Sequence, residues 1–121
     1  MSESILDTMK EMLGIDAGVT AFDTEITIHL NSAFMALTQL GAGPSSGFSV
    51  ADKTTKWSDY LGTEKNLEAV KSYLFLKVKI VFDPPERAAV MDAYKSQISE
   101  LEFRINVQAE GGSTNASTVA T

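Results

Sequence analysis

The 121-residue chain contains no cysteine. Disulfide frameworks, thiolate metal sites and cysteine nucleophiles are therefore excluded together. Histidine is nearly as scarce, with His29 alone, so no pair of imidazoles exists to build a common zinc or acid-base set. His29 falls at the border of an apolar helix stripe and is read as structural. Bases are outnumbered, 10 Lys and Arg against 16 Asp and Glu for a net charge of -6. That balance argues against nonspecific duplex binding, which depends on cations displacing the counterions of phosphates. Long apolar runs are missing too, because the best candidate is interrupted by Lys77 and Lys79, and no membrane span is expected. The opening MSESILDTMKEML carries acids where a signal peptide needs a basic lead, so synthesis and retention in the cytoplasm are expected.

Chemical motifs are equally thin. Gly41, Gly43 and Gly47 are not followed by the lysine or glycine pattern of a phosphate-binding loop. Asn115-Ala116-Ser117 is a glycosylation acceptor only in form, since nothing directs the chain to secretion. Two carboxylate pairs remain. Glu100 and Glu102 point to different sides of a helix, and Asp83 with Glu86 is explained by capping. No catalytic, cofactor or metal site is predicted, and the function is read as contact.

What the chain does contain is enough apolar residue, 44%, for one domain that buries about two thirds of its unfolded surface. Charge is segregated along it. Acids dominate residues 1–25 and 83–110, and lysines slightly exceed acids between 51 and 82, a layout suited to head-to-tail contact between copies.

In chain order, Ser2 or Ser4 can cap a short helix with Ile5, Met9, Met12 and Leu13 at helical spacing and Gly14 to end it. Asp23 is the expected cap of a second helix that ends at Gly41. Its core face carries Ile26, Leu30, Ala33, Phe34, Leu37 and Leu40. Ile28 and Met35 lie seven residues apart on the reverse side, where a lone monomer would favour polar groups, and are candidate subunit contacts.

Residues 41–62 read as a long loop whose aromatics pin it to the helices, with Trp57 also a candidate partner contact. Thr63 and Glu64 begin the next helix. It is apolar all round: Leu67, Val70, Leu74, Val78 and Val81 on one face, Tyr73, Leu76 and Ile80 on a second, Phe75 and Phe82 on a third. A helix is preferred over a strand for LKVKIVF, because the 3.6-residue pattern continues without a turn signal. At the corner, DPPE supplies Asp83 as N-cap, Pro84 as first helical residue and Glu86 as reciprocal cap. The last helix presents a seam of Met91, Tyr94, Ile98, Leu101 and Ile105, with Phe103 and Val107 off the seam as a second candidate patch. Residues 1–108 thus form the expected domain, and 109–121 a flexible or partner-ordered tail.

The stretch YLFLKVKIVFDPPERAAVMDAYKSQISELEFRINV resembles the closing helical hairpin of the head-tail connector, or adaptor, proteins of long-tailed bacteriophages. The looser likeness extends over about residues 1–107. It implies an all-α bundle of about four helices with a long loop before the hairpin and an extended C-terminal tail. It also implies a ring of about twelve subunits under the portal protein, extending the channel for double-stranded DNA that passes without sequence recognition. The ring would dock the stopper or tail component, the residues from Phe103 onward would reach toward the portal, and the location would be the virion neck, with no catalysis. The competing reading from the residues is a small helical DNA-binding regulator, which lacks a cluster of Arg, Lys and Asn on one exposed helix. An enzyme has no motif behind it.

Overall fold

The computed structural model describes residues 4–44, 46–61 and 67–119, with side chains through residue 108 except that of Leu61. The described elements are helices α1 (Ile5–Met12), α2 (Asp23–Gln39), α3 (Trp57–Leu61), α4 (Leu67–Phe82) and α5 (Ala88–Val119). The all-α class follows. The short α3 lies within the segment read as loop, and Thr63 and Glu64 fall outside the described residues.

Local chemistry sets the first two helix ends. Ser4 caps α1, its Oγ accepting from the Asp7 N–H at 3.2 Å. Gly14 adopts φ +81° after it. The N–H groups of Gly14 and Ile15 then donate back to Glu11 and Lys10, at 3.1 and 2.8 Å. This is the glycine-terminated double bond that satisfies a helix's last carbonyls. The C-terminus of α2 repeats it, with Gly41 at φ +92° and donation from Gly41 to Thr38 and from Ala42 to Leu37.

Asp23 departs from its expected role. It is the first helical residue of α2, preceded by Phe22, and no side-chain cap is made. Its carboxylate instead pairs with Lys10 at 2.8 Å. The Lys10 ammonium also donates to the Ala17 carbonyl at 3.2 Å. Lys10 is 1% exposed whereas Met12 is 40% exposed, so α1 buries its lysine and presents an apolar residue that the spacing had turned inward. The ion pair supplies the reason: Asp23 and Ala17 both aim at the Lys10 side.

The corner after α4 also differs from the expected cap. Asp83, Pro84, Pro85, Glu86 and Arg87 stay outside helix, and α5 opens at Ala88. Asp83 and Pro84 each precede a proline, whose ring disfavours the α region for the residue before it. Helical geometry is therefore disfavoured at Asp83 and Pro84, the positions that the expected cap needed. Asp83 closes α4 instead, its N–H donating to the Lys79 carbonyl at 3.0 Å and its carboxylate pairing with Lys79 Nζ at 2.8 Å. At the other end, α5 continues past residue 108 to Val119.

Helix α4 packs on both α2 and α5. The rings of Phe22 and Phe82 meet edge-on at 5.5 Å, which sets the start of α2 beside the end of α4 and makes the two antiparallel. Near the other end, Asn106 Nδ2 donates to the Leu40 carbonyl at 3.0 Å, tying α5 to the last turn of α2. The core comprises Ile26, Leu30, Phe34 and Leu37 from α2, Val70, Leu74 and Val78 from α4, and Ile98 and Ile105 from α5, among others. The surplus apolar faces of α4 are thus absorbed mainly inside the monomer. Val81 is the exception, 54% exposed, although its neighbours Ile80 and Phe82 pack against the core.

Candidate contact surface

The eight residues proposed as interface separate into two groups by burial. Trp57, Tyr73 and Leu76 are buried within the chain, and Ile80 is half-buried against the core. The first three are therefore not available as surface, which corrects the expectation. Each has a local reason. Trp57 donates from Nε1 to Thr8 Oγ1 at 3.0 Å and lies under the Lys71 ammonium, 5.2 Å from its ring centre, so it fastens α3 to α1. Tyr73 turns toward α5 and donates its hydroxyl to Glu102 Oε2 at 2.8 Å. Burial pushes the Tyr73 phenol well above its ordinary pKa, and the hydrogen bond and charge of Glu102 add to the rise. Leu76 joins the buried cluster directly.

The other four are exposed. Ile28 is 61%, Met35 64%, Phe103 70% and Val107 47% exposed. With about 100° between successive helical residues, Ile28 and Met35 stand roughly half a turn round α2 from its buried stripe. Phe103 and Val107 stand likewise on α5, opposite Ile98 and Ile105. Each helix thus keeps one face for the core and carries a second apolar stripe outward. Phe22 and Val81 form a further exposed pair of apolar residues near the corner; sequence spacing put Val81 in the core and did not single out Phe22.

Polar bonds hold the backbone beside the α2 stripe. The Asn31 side chain accepts from the Val50 N–H at 2.6 Å and donates to the Val50 carbonyl at 3.0 Å, fixing the backbone of Val50 against α2. Phe48 and Tyr60 close on Phe34 with ring centres about 5 Å apart. The loop is therefore pinned by its aromatics as expected, while the Asn31 clamp had no signal in the sequence beyond an asparagine in mid-helix. Two open depressions border the stripe. One of about 490 Å³ is lined by Asn31, Met35 and Phe48, and one of about 440 Å³ by Thr24, Ile28 and Lys53.

The residues considered for chemistry do not converge. His29 Nε2 lies 3.6 Å from Glu25 on the same helix. Glu100 pairs with Arg104 at 2.7 Å, whereas Glu102 serves Tyr73, so the two carboxylates have different partners. Among the described residues no group of three His, Asp or Glu side chains could hold a metal ion. Nor is any described helix long and apolar enough to cross a membrane.

No curated protein and no solved structure matches the chain. The family description "phage connector protein" matches residues 5–112, from the first residue of α1 to well along α5 and across the pinned loop and both outward stripes. With nearly the whole chain covered, the protein belongs to the phage connector family.

Proposed function

We propose that this chain is a structural subunit of the phage neck. It assembles as a ring beneath the portal protein, extends the channel through which double-stranded DNA passes, and offers a docking surface to the next stopper or tail component. The observation that carries the reading is the family match over residues 5–112. The exposed apolar stripes support the assembly part of it. A monomer gains nothing from showing water four large side chains on two helices, and each, being already partly covered, contributes roughly 1–2 kcal/mol when a partner covers the rest. A net charge of -6 suits a passage along which DNA must slide without sticking. The ring size of about twelve comes from the family resemblance alone.

The test is to mix the purified chain with purified portal and image the product, counting subunits. The reading expects a closed ring attached to portal. A chain that stays monomeric and fails to bind portal at high concentration would refute it.

A further inference from the structure

We infer that the two outward stripes are the halves of one joint, in which Phe103 of one copy seats between Ile28, Asn31, Ser32 and Met35 of the next. The inference rests on the ring reading above and specifies how its subunits meet.

A closed ring needs a heterologous contact, in which two different patches of the same chain meet, whereas a single self-complementary patch gives a two-fold dimer. This chain carries two different patches. The α2 stripe and the α5 stripe each face away from their own core seams, and α4 packs against both helices. Their shapes also differ in a complementary sense. Ile28, Asn31, Ser32 and Met35 stand at positions i, i+3, i+4 and i+7, which is the four-residue hole that receives a side chain when helices pack knobs into holes. Ile28 and Met35 are large and lie about 10 Å apart along the axis, from seven residues at 1.5 Å each. Ser32 between them is small and exposed, so the hole is open in the middle with apolar walls at both ends.

Phe103 is the matching knob, at 70% the most exposed of the large apolar residues described. The thioether of Met35 is well suited to the ring edge, since sulfur-aromatic contacts are favourable and methionine adapts to the space available. The floor of the hole is held, because Asn31 is fixed by its two bonds to Val50. The charged groups beside the patches are already paired on their own helices, Arg104 with Glu100 at 2.7 Å and Glu25 near His29 at 3.6 Å, so no unpaired charge needs to be buried when the ring is seated. A second copy is the occupant these observations favour, because hole and knob occur on one chain and a ring needs two different patches on each subunit.

The absence of native cysteine makes the test direct. Ser32→Cys and Val107→Cys are made separately and together, assembled with portal, and treated with a short flexible bis-maleimide. The joint expects a cross-linked dimer from the mixture of single variants, a ladder of multimers from the double variant, and no dimer from either variant alone. Dimers from one single variant would show a self-complementary contact and overturn the joint. Rings of normal size without the mixed cross-link, or a Val107→Cys thiol that links only to portal, would overturn the joint and leave the ring reading standing. A chain that never assembles would overturn both. In parallel, Ser32→Trp, which fills the hole, and Phe103→Ser, which removes the knob, should each raise the concentration needed for assembly at least tenfold with helical circular dichroism unchanged. Met12→Ser, at an exposed apolar site on α1, should not. Equal damage from all three would overturn the joint.

Discussion

Lys10 and Asp23 make a sharp test of the physics that fixes α1 on α2. The Lys10 side chain is 2% exposed and its ammonium lies 2.8 Å from Asp23, whose own side chain is 26% exposed. Asp23→Asn keeps an amide oxygen that can still accept from the ammonium but removes the carboxylate charge, leaving the buried cation with neutral acceptors alone, the Ala17 carbonyl at 3.2 Å among them. Breaking a buried pair by removing one member costs about 3–5 kcal/mol, and the surviving carbonyl bond favours the lower end, near ~3 kcal/mol. Lys10→Met should be far milder. It keeps the apolar stem and removes the ammonium, and although Asp23 Oδ1 is buried the carboxylate as a whole is 26% exposed and can turn to water, so a smaller loss than that of Asp23→Asn is expected. The double variant should resemble Lys10→Met, since the stranded charge is gone. Urea unfolding followed by circular dichroism measures all three. With a slope of about 1–3 kcal/mol per molar, Asp23→Asn should lower the midpoint by roughly 1–3 M. If Asp23→Asn proves no more costly than Lys10→Met, the pair does not hold a buried charge and the reasoning fails.

Other predictions follow from single contacts. Gly43→Ala should cost about 2 kcal/mol or more, because φ is +77° and a Cβ there would stand 2.7 Å from the Tyr60 ring, combining backbone strain with a clash; thermal unfolding checks it. Asn31→Ala removes both bonds to Val50 and should speed proteolysis or amide exchange of residues 46–50, at a cost of about 1–3 kcal/mol; unchanged exchange would show that the aromatics alone hold the loop. Leu74→Ala, at a fully buried site, should cost about 2–5 kcal/mol in urea unfolding. The Tyr73 phenol has a folded pKa raised above its ordinary value, so its stabilising contribution is complete below pH ~10 and is lost as pH rises beyond that. Melting temperature should therefore fall more steeply above pH ~10 for the native chain than for Tyr73→Phe, and parallel curves would count against the buried hydrogen bond.

Much of the fold was legible because it is written in local chemistry. Glycines at 14 and 41 end helices through positive φ, Ser4 caps the first, and the 3.6-residue periodicity marks the seams of α2, α4 and α5. Periodicity alone also separated Ile28, Met35, Phe103 and Val107 from the core faces of their helices, and the structure leaves all four exposed. The hairpin residues carried the family likeness, which the match over residues 5–112 bears out.

Tertiary structure decided what periodicity cannot see, namely how many sides of a helix its own chain covers. Tyr73 and Leu76 looked surplus because α4 is apolar all round, yet both are buried within the chain, while Val81 on the favoured face is left bare. Lys10 is buried because Asp23 and Ala17 meet it from residues 13 and 7 positions away, across a turn between helices whose path periodicity does not give. The DPPE corner failed as a cap for a steric reason that two successive prolines impose, and Asp83 was taken by Lys79 instead. Sequence thus determined which residues are apolar, how α1 begins and ends, and where α2 stops. Only the packing of α2, α4 and α5 determined which apolar faces remain for another molecule, because exposure is a property of the assembled bundle.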